Sequence, residues 1–420
     1  MKLRHTSRLL PGILALGASA FAFAQGSAPG KAVSPEQIKR GEYLARAGDC
    51  TSCHTKPGGT PYAGGFTLGT PFGNLVTPNI TPDVETGIGS WTADDFYKAL
   101  HDGVSKRVGD LYPAMPYTFY TKVTREDADA IYAYLMSLAP VRKLVVVNQL
   151  RWPFDMRWTL IAWRELYFNE GTYKPDPAWG PEWNRGAYLV EGLGHCSACH
   201  SPRNFMGGIE KDKAFTGAEL TDGWFALNLT ENWKTGLGQW SVDDIVTYLK
   251  NGFLKRKSTS LGDMQEVVHN SMSYMTDADL RAIAVYLKSI PANTSSLAEA
   301  QKTLPVSKVG AQDYARYCGG CHQAKGVGIA GIFPPLKGNG AVVAAEPDNI
   351  IKVVLGGVPA RSGYVHMPAW APTLTDQQIA DIANYVRTSW GNSAPPNATP
   401  AMVERFRKQL AAQQPKTAGK

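Results

Sequence analysis

All six cysteines of this 420-residue chain fall in three copies of one five-residue phrase. The copies are Cys50-Thr51-Ser52-Cys53-His54, Cys196-Ser197-Ala198-Cys199-His200 and Cys318-Gly319-Gly320-Cys321-His322. Two thiols with two residues between them are spaced to add across the two vinyl groups of one haem. The His that follows lies against the ring and binds the iron from one side. A Cys-x-x-Cys pair also makes half of a zinc site or a redox dithiol. Neither chemistry requires a His directly after the second Cys, three times over. The phrases therefore predict three covalently bound haem c groups on Cys50, Cys53, Cys196, Cys199, Cys318 and Cys321, with His54, His200 and His322 as iron ligands.

A single His leaves the iron's opposite face open, and a thioether there completes six-coordination and raises the potential. Met115, in Tyr112-Pro113-Ala114-Met115-Pro116, lies twelve residues after Gly103. Met367 precedes Pro368 and lies ten residues after Gly357. The neighbouring prolines restrict a loop that must hold a ligand still. Met264, Met272 and Met275 compete in the middle of the chain. Met264 lies twelve residues after Gly252, matching Met115, and is the one expected to bind. Core filling is the ordinary role of a Met, and His101, His195, His269 and His366 are the nearby imidazole rivals.

The elements that must position these residues repeat with the phrases. Each phrase follows a short helix carrying Gly and an aromatic: Gly41 and Tyr43, Gly186 and Tyr188, Gly310 and Tyr314. Each unit closes on a helix in fixed register, with Thr124, Ile131 and Tyr134 recurring as Thr276, Ile283 and Tyr286 and as Thr375, Ile382 and Tyr385. The Thr is an N-cap, and the apolar residues form one helix face. The Gly lets an aromatic of the closing helix approach. Trp91 to Gly103 matches Trp240 to Gly252, while the third unit keeps only Asp348 to Gly357. The first two units also share a loop, Asn79-Ile80-Thr81 against Asn228-Leu229-Thr230. The expected fold is all-α, with three tandem class I cytochrome c domains joined by irregular linkers.

The boundaries follow. Residues 1–24 read as a signal peptide, with a basic head at Lys2, Arg4 and Arg8, an apolar run and the cleavage site Ala22-Phe23-Ala24. Domains are expected at 25–142, 181–295 and 308–392, with linkers at 143–180 and 296–307 and a tail at 393–420. The first linker is rich in Trp and Phe. It reads as a clasp between its neighbours, or as a docking face, with a short helix over 156–168. The tail is expected to form one helix from Thr399, solvated or partner-bound. Charge excludes one class: the formal net charge is +7, and haem propionates would reduce it. No Lys/Arg cluster supports nucleic-acid binding.

The chain resembles the triheme cytochrome c subunits of bacterial membrane-bound dehydrogenases. The likeness is strongest in Pro61 to Gly65, Thr77 to Pro82, Leu111 to Tyr117, Trp152-Pro153-Phe154 and Arg185 to Asn204. It implies haem at the three Cys pairs and axial roles for the three His and three Met residues. It also implies a catalytic partner of quinoprotein, flavoprotein or molybdenum type acting on alcohols, sugars or aldehydes. The expected acceptor is ubiquinone or a terminal oxidase, on the periplasmic side of the cytoplasmic membrane, with peripheral membrane association. No phosphate-binding loop or nucleophile elbow points to a catalytic site of the chain's own. The competing classes are a free-standing multihaem carrier and a haem enzyme with an open iron.

Overall fold

The computed structural model describes residues 33–146, 148–254, 257–293, 308–360 and 364–413. The expected signal peptide and the 296–307 linker lie outside the described residues. The chain is mostly helical, with short hairpins in the loops. Helix α1 (Pro35–Ala47) starts where Ser34 accepts from the Gln37 amide and Pro35 fills the first position. Helix α2 (Ala93–Tyr97) opens with a Thr92/Asp95 capping box, continues as a π-helical turn through Asp102 and ends on left-handed Gly103. Helix α3 (Arg125–Ser137) is capped by Thr124. Helix α4 (Thr159–Tyr167) lies in the aromatic bridge, within the expected 156–168 stretch.

The second unit repeats this plan with α5 (Pro181–Tyr188), α6 (Val242–Asn251), α7 (Asp263–Asn270) and α8 (Asp277–Lys288). A Ser241/Asp244 box and left-handed Gly252 bound α6, and Thr276 caps α8. The third unit has α9 (Asp348–Gly356), α10 (Asp376–Thr388) and α11 (Pro400–Gln413), with Thr375 capping α10. The expected N-caps therefore form at all three closing helices.

Close approach of the first and closing helices follows from the glycines. A Cβ on Gly41 would lie 1.8 Å from the Ala130 carbonyl oxygen, and one on Gly186 would lie 2.0 Å from that of Ala282. Gly310 meets the Asp381 carbonyl at 2.3 Å in the same way. The partner at the crossing is thus chiefly backbone, although Tyr134 and Tyr286 also come within 2.8 Å.

Two apolar cores result among the described residues. The first is continuous through the first two units and joins Leu44, Ile131 and Leu135 with Leu189, Leu193, Ile283 and Leu287. The second belongs to the third unit and includes Ile351, Leu355, Ile379 and Val386. Helix α11 departs from the expected solvated or partner-bound tail. Its Val403 and Phe406 are buried in the third core, at 0% and 2% exposure. Arg407 ties it down by pairing with Asp376 and donating to the Leu374 carbonyl.

The bridge crosses both of the first two units. Its Arg164 donates to the Asp102 carbonyl, its Gly171 amide to Thr121 Oγ1, and its Trp163 indole to the Met206 carbonyl. Leu160 and Trp163 are buried, whereas Trp158 and Ile161 face outward.

Candidate haem-binding sites

The cysteine pairs sit on single helical turns at Cys50–Cys53, Ser197–His200 and Gly319–His322. A left-handed residue, Asp49 or His195, turns the chain into the first two, and a π-helical turn leads into the third. No two of the six cysteines form a disulfide. Burial pushes Cys50, Cys196 and Cys318 up to about 12, and Cys53 and Cys199 to about 11. A redox dithiol needs a depressed thiol instead. Among the described residues no cysteine joins a cluster of three metal-ligating side chains, which a structural zinc site requires.

The three histidines share one arrangement. His54 Nδ1 lies 2.9 Å from the Pro78 carbonyl oxygen, His200 Nδ1 2.6 Å from that of Leu227, and His322 Nδ1 2.9 Å from that of Pro334. A carbonyl only accepts, so Nδ1 carries the proton. Burial lowers the pKa of all three rings, opposed by these hydrogen bonds. Each imidazole is then neutral, with a lone pair at Nε2, the form that binds iron.

A glycine completes each cradle. The amides of Gly64, Gly217 and Gly328 donate to the backbone carbonyls of His54, His200 and His322 at 2.8, 2.9 and 3.1 Å. All three have positive φ, at 66°, 93° and 61°. An added Cβ would meet Pro78 at 2.4 Å, the Ala226 carbonyl at 2.7 Å and the Phe333 carbonyl at 2.4 Å. These contacts lie on, or next to, the residues whose carbonyls hold the imidazoles.

The loop shared by the first two units gains a role from this geometry. Asn79 Oδ1 accepts from the Thr81 amide and hydroxyl, and its Nδ2 donates to Thr86 and the Val141 carbonyl. Asn228 binds Thr230 and Thr235 in the same pattern. Each buried Asn braces the loop just after the carbonyl that orients the His. The sequence shows the matching loop but not this use. The cradle glycines escape a fixed register because they follow their histidines by ten, seventeen and six residues.

Met115, Met264 and Met367 are each half-buried against a core. A hairpin places the first two alike. The Leu111 amide donates to the Gly103 carbonyl, and the Ser260 amide to that of Gly252. Met115 and Met264 each lie four residues further on. Met367 pairs with Val358 in a short bridge after Gly357. Met272 and Met275 are buried core residues, at 5% and 2% exposure. Of the imidazole rivals, His269 and His366 are exposed. His101 bonds Asp102 at 2.6 Å, with Thr121 and Thr172 at its other nitrogen. His195 packs on Tyr120 with ring centres 5.6 Å apart.

The cysteine pairs, the neutral histidines and the glycine-lined cradles fit a haem whose ring is tethered on one edge and ligated from below. A cleft of about 630 Å³ is lined elsewhere, by Arg40, Asp127, Tyr173, Trp179, Arg185 and Tyr188 among others.

Comparison with known proteins agrees. Residues 38–139 match the cytochrome c family, and residues 307–386 match the family described as cytochrome c oxidase, cbb3-type, subunit III. The cytochrome c subunit of alcohol dehydrogenase (quinone) from Komagataeibacter europaeus is 39% identical over 93% of this chain and 88% of its own length. The gluconate 2-dehydrogenase cytochrome c subunit of Pantoea cypripedii is 40% identical over 88% of this chain and 89% of its own length. The fructose dehydrogenase cytochrome subunit of Gluconobacter japonicus is 38% identical, over 85% and 80% respectively. With this identity extending over most of its length, the chain belongs to the cytochrome c subunits of the alcohol, gluconate and fructose dehydrogenases.

Proposed function

We propose that the chain is a triheme electron-transfer subunit, with one haem c in each of three tandem domains at 25–142, 181–295 and 308–392. Cys50 and Cys53, Cys196 and Cys199, and Cys318 and Cys321 tether the three rings. His54, His200 and His322 would offer Nε2 to the irons, and Met115, Met264 and Met367 would supply a second, sulfur ligand. The observation that carries this reading is the threefold recurrence of a cysteine pair whose following His, kept neutral by burial, donates its Nδ1 proton to a backbone carbonyl.

Haem supplies one-electron exchange at iron when bound. The chain's own work is to fix the axial side chains, exclude water from the imidazoles and keep the three sites on one polypeptide. With both axial positions filled by protein, no substrate needs access to iron, and oxidation of the substrate falls to a partner. That partner is a catalytic dehydrogenase subunit oxidising alcohols, sugars or aldehydes, of quinoprotein, flavoprotein or molybdenum type. The acceptor is ubiquinone or a terminal oxidase. Export through cleavage before Gln25 places the subunit in the periplasm, at the membrane surface. Its association with the membrane is peripheral in this reading; among the described residues no helix is long and apolar enough to cross a membrane.

Intact-mass measurement of the exported protein tests the reading. The expected mass is that of a chain starting at Gln25 with three haems. Fewer haems would overturn it. Carbon monoxide added to the reduced protein should leave the spectrum unchanged at all three sites. Ready binding would favour a haem enzyme with an open iron.

A further inference from the structure

The first two units touch through a motif that is its own mirror. Tyr43 of α1 donates to Asp279 Oδ2 of α8 at 2.6 Å, and the Thr276 amide donates to the Tyr43 hydroxyl at 3.3 Å. Tyr188 of α5 donates to Asp127 Oδ2 of α3 at 2.6 Å, and the Thr124 amide donates to the Tyr188 hydroxyl at 3.2 Å. Each carboxylate is also gripped by an Arg of its own unit. Arg185 spans both oxygens of Asp279 at 2.8 Å, and Arg40 holds Asp127 Oδ1 at 2.9 and 2.5 Å. Arg and Tyr are three residues apart on both first helices, and Thr and Asp are three apart on both closing helices. One surface thus meets its own copy, with residue i on j and j on i, as in a two-fold dimer. Both carboxylates are largely shielded, with side-chain exposures of 4% for Asp127 and 13% for Asp279. Charge-assisted bonds of this kind are the strong ones.

The junction continues up to the haem phrases. Asn270 donates to Ser52, inside the first phrase, at 2.9 Å. The Ser271 hydroxyl donates to the Ala47 carbonyl at 3.4 Å. Tyr120 donates to the Gly48 carbonyl at 2.8 Å, while its ring packs on His195, next to Cys196. Leu193 comes within 3.3 Å of where a Gly48 side chain would start. Side chains of the second unit therefore brace the segment that carries the first cysteine pair.

We propose that Tyr43 and Tyr188 are positioning residues for electron exchange between the first and second haem sites. Their reciprocal bonds to Asp279 and Asp127 lock the two sites into one rigid pair. This rests on the reading that both phrases carry haem. Electron exchange falls steeply with separation and with loss of orientation, so a junction that rocks would slow the relay even with every ligand in place.

The test uses the full-length holoprotein carrying Tyr43→Phe and Tyr188→Phe together. That change removes two hydroxyls and leaves both Arg–Asp pairs. Tyr132→Phe is the matched control, because its hydroxyl donates to the Trp91 carbonyl at 2.6 Å within one unit. Haem content is first counted by mass, which separates failure of the underlying reading from failure of the proposal. Magnetic coupling between the ferric haems is then measured by electron paramagnetic resonance, and inter-haem exchange by flash reduction. The double variant should show weakened coupling and exchange slowed by about tenfold or more, the order of loss that ångström-scale misplacement brings. The control should match the parent. A fully loaded double variant with parental coupling and rate would overturn the proposal, as would equal slowing in the control. Should the double variant fail to be exported, the two single variants carry the test, and their losses should be alike because the two contacts are equivalent.

Discussion

Three imidazoles owe their tautomer to three carbonyls, and three glycines owe their identity to backbone at or next to those carbonyls. Gly64 and Gly58 separate the two reasons a glycine is needed. Both have positive φ, at 66° and 70°. Nothing lies within 4 Å of a Cβ on Gly58, whereas one on Gly64 would press on the Pro78 backbone. Gly58→Ala should cost only the backbone strain, about 1–2 kcal/mol. Gly64→Ala should add overpacking, for a total of about 3 kcal/mol or more, and should push the Pro78 carbonyl away from His54 Nδ1. Thermal unfolding reads the stability difference. A redox titration should show one potential displaced in Gly64→Ala and none in Gly58→Ala. Equal behaviour of the two variants would mean that the cradle does not orient the ring.

The helices show which levels of organisation a sequence displays. The haem phrases are legible because two thioether links and an adjacent ligand favour one short spacing. The closing helices are legible because Thr caps and apolar stripes are local and periodic. The Tyr43–Asp279 and Tyr188–Asp127 exchanges are not, since they join residues far apart whose types are ordinary on any helix surface. The cradle glycines are hidden by unequal spacing, although each follows its His. Helix α11 is misread for a different reason. Its apolar residues are few and lie among Arg405, Arg407 and Lys408, so its pattern is that of a solvated helix. In the structure those arginines reach Asp348, Glu219 and Asp376 at its edges, while Val403 and Phe406 enter the third core. Phe406→Ala should therefore destabilise that unit by about 3–5 kcal/mol. Hydrogen exchange should rise in α9 and α10 and remain unchanged in α1 and α3. Uniform protection across all four helices would return α11 to the solvent.

At the scale of the whole molecule, two bodies meet: the paired first and second units, and the third. Their junction includes several polar contacts. Asn349 Oδ1 accepts from the Phe225 amide and its Nδ2 donates to the Phe225 carbonyl, extending a strand edge by one side chain. Lys352 donates to the Asp222 carbonyl, and Arg405 reaches both Glu219 and Asp348. Asp348 is one group that makes this junction respond to pH. Its side chain is 2% exposed. Burial pushes its carboxyl up from 3.8 to about 6, Glu219 adds to the rise, and Arg405 only partly opposes it. A carboxyl whose pKa is higher in the folded state binds a proton more tightly there than in the unfolded chain. The stability it contributes is full below pH 4 and is lost as pH rises through about 6. After allowance for solvent screening the swing is on the order of 2 kcal/mol. Asp348→Asn keeps the shape and removes the proton. Unfolding of the third unit, followed by hydrogen exchange on α9 between pH 4 and 7, should weaken with rising pH in the parent and stay level in Asp348→Asn. A parent that gains stability over the same range would show instead that the Arg405 pairing outweighs burial at this contact.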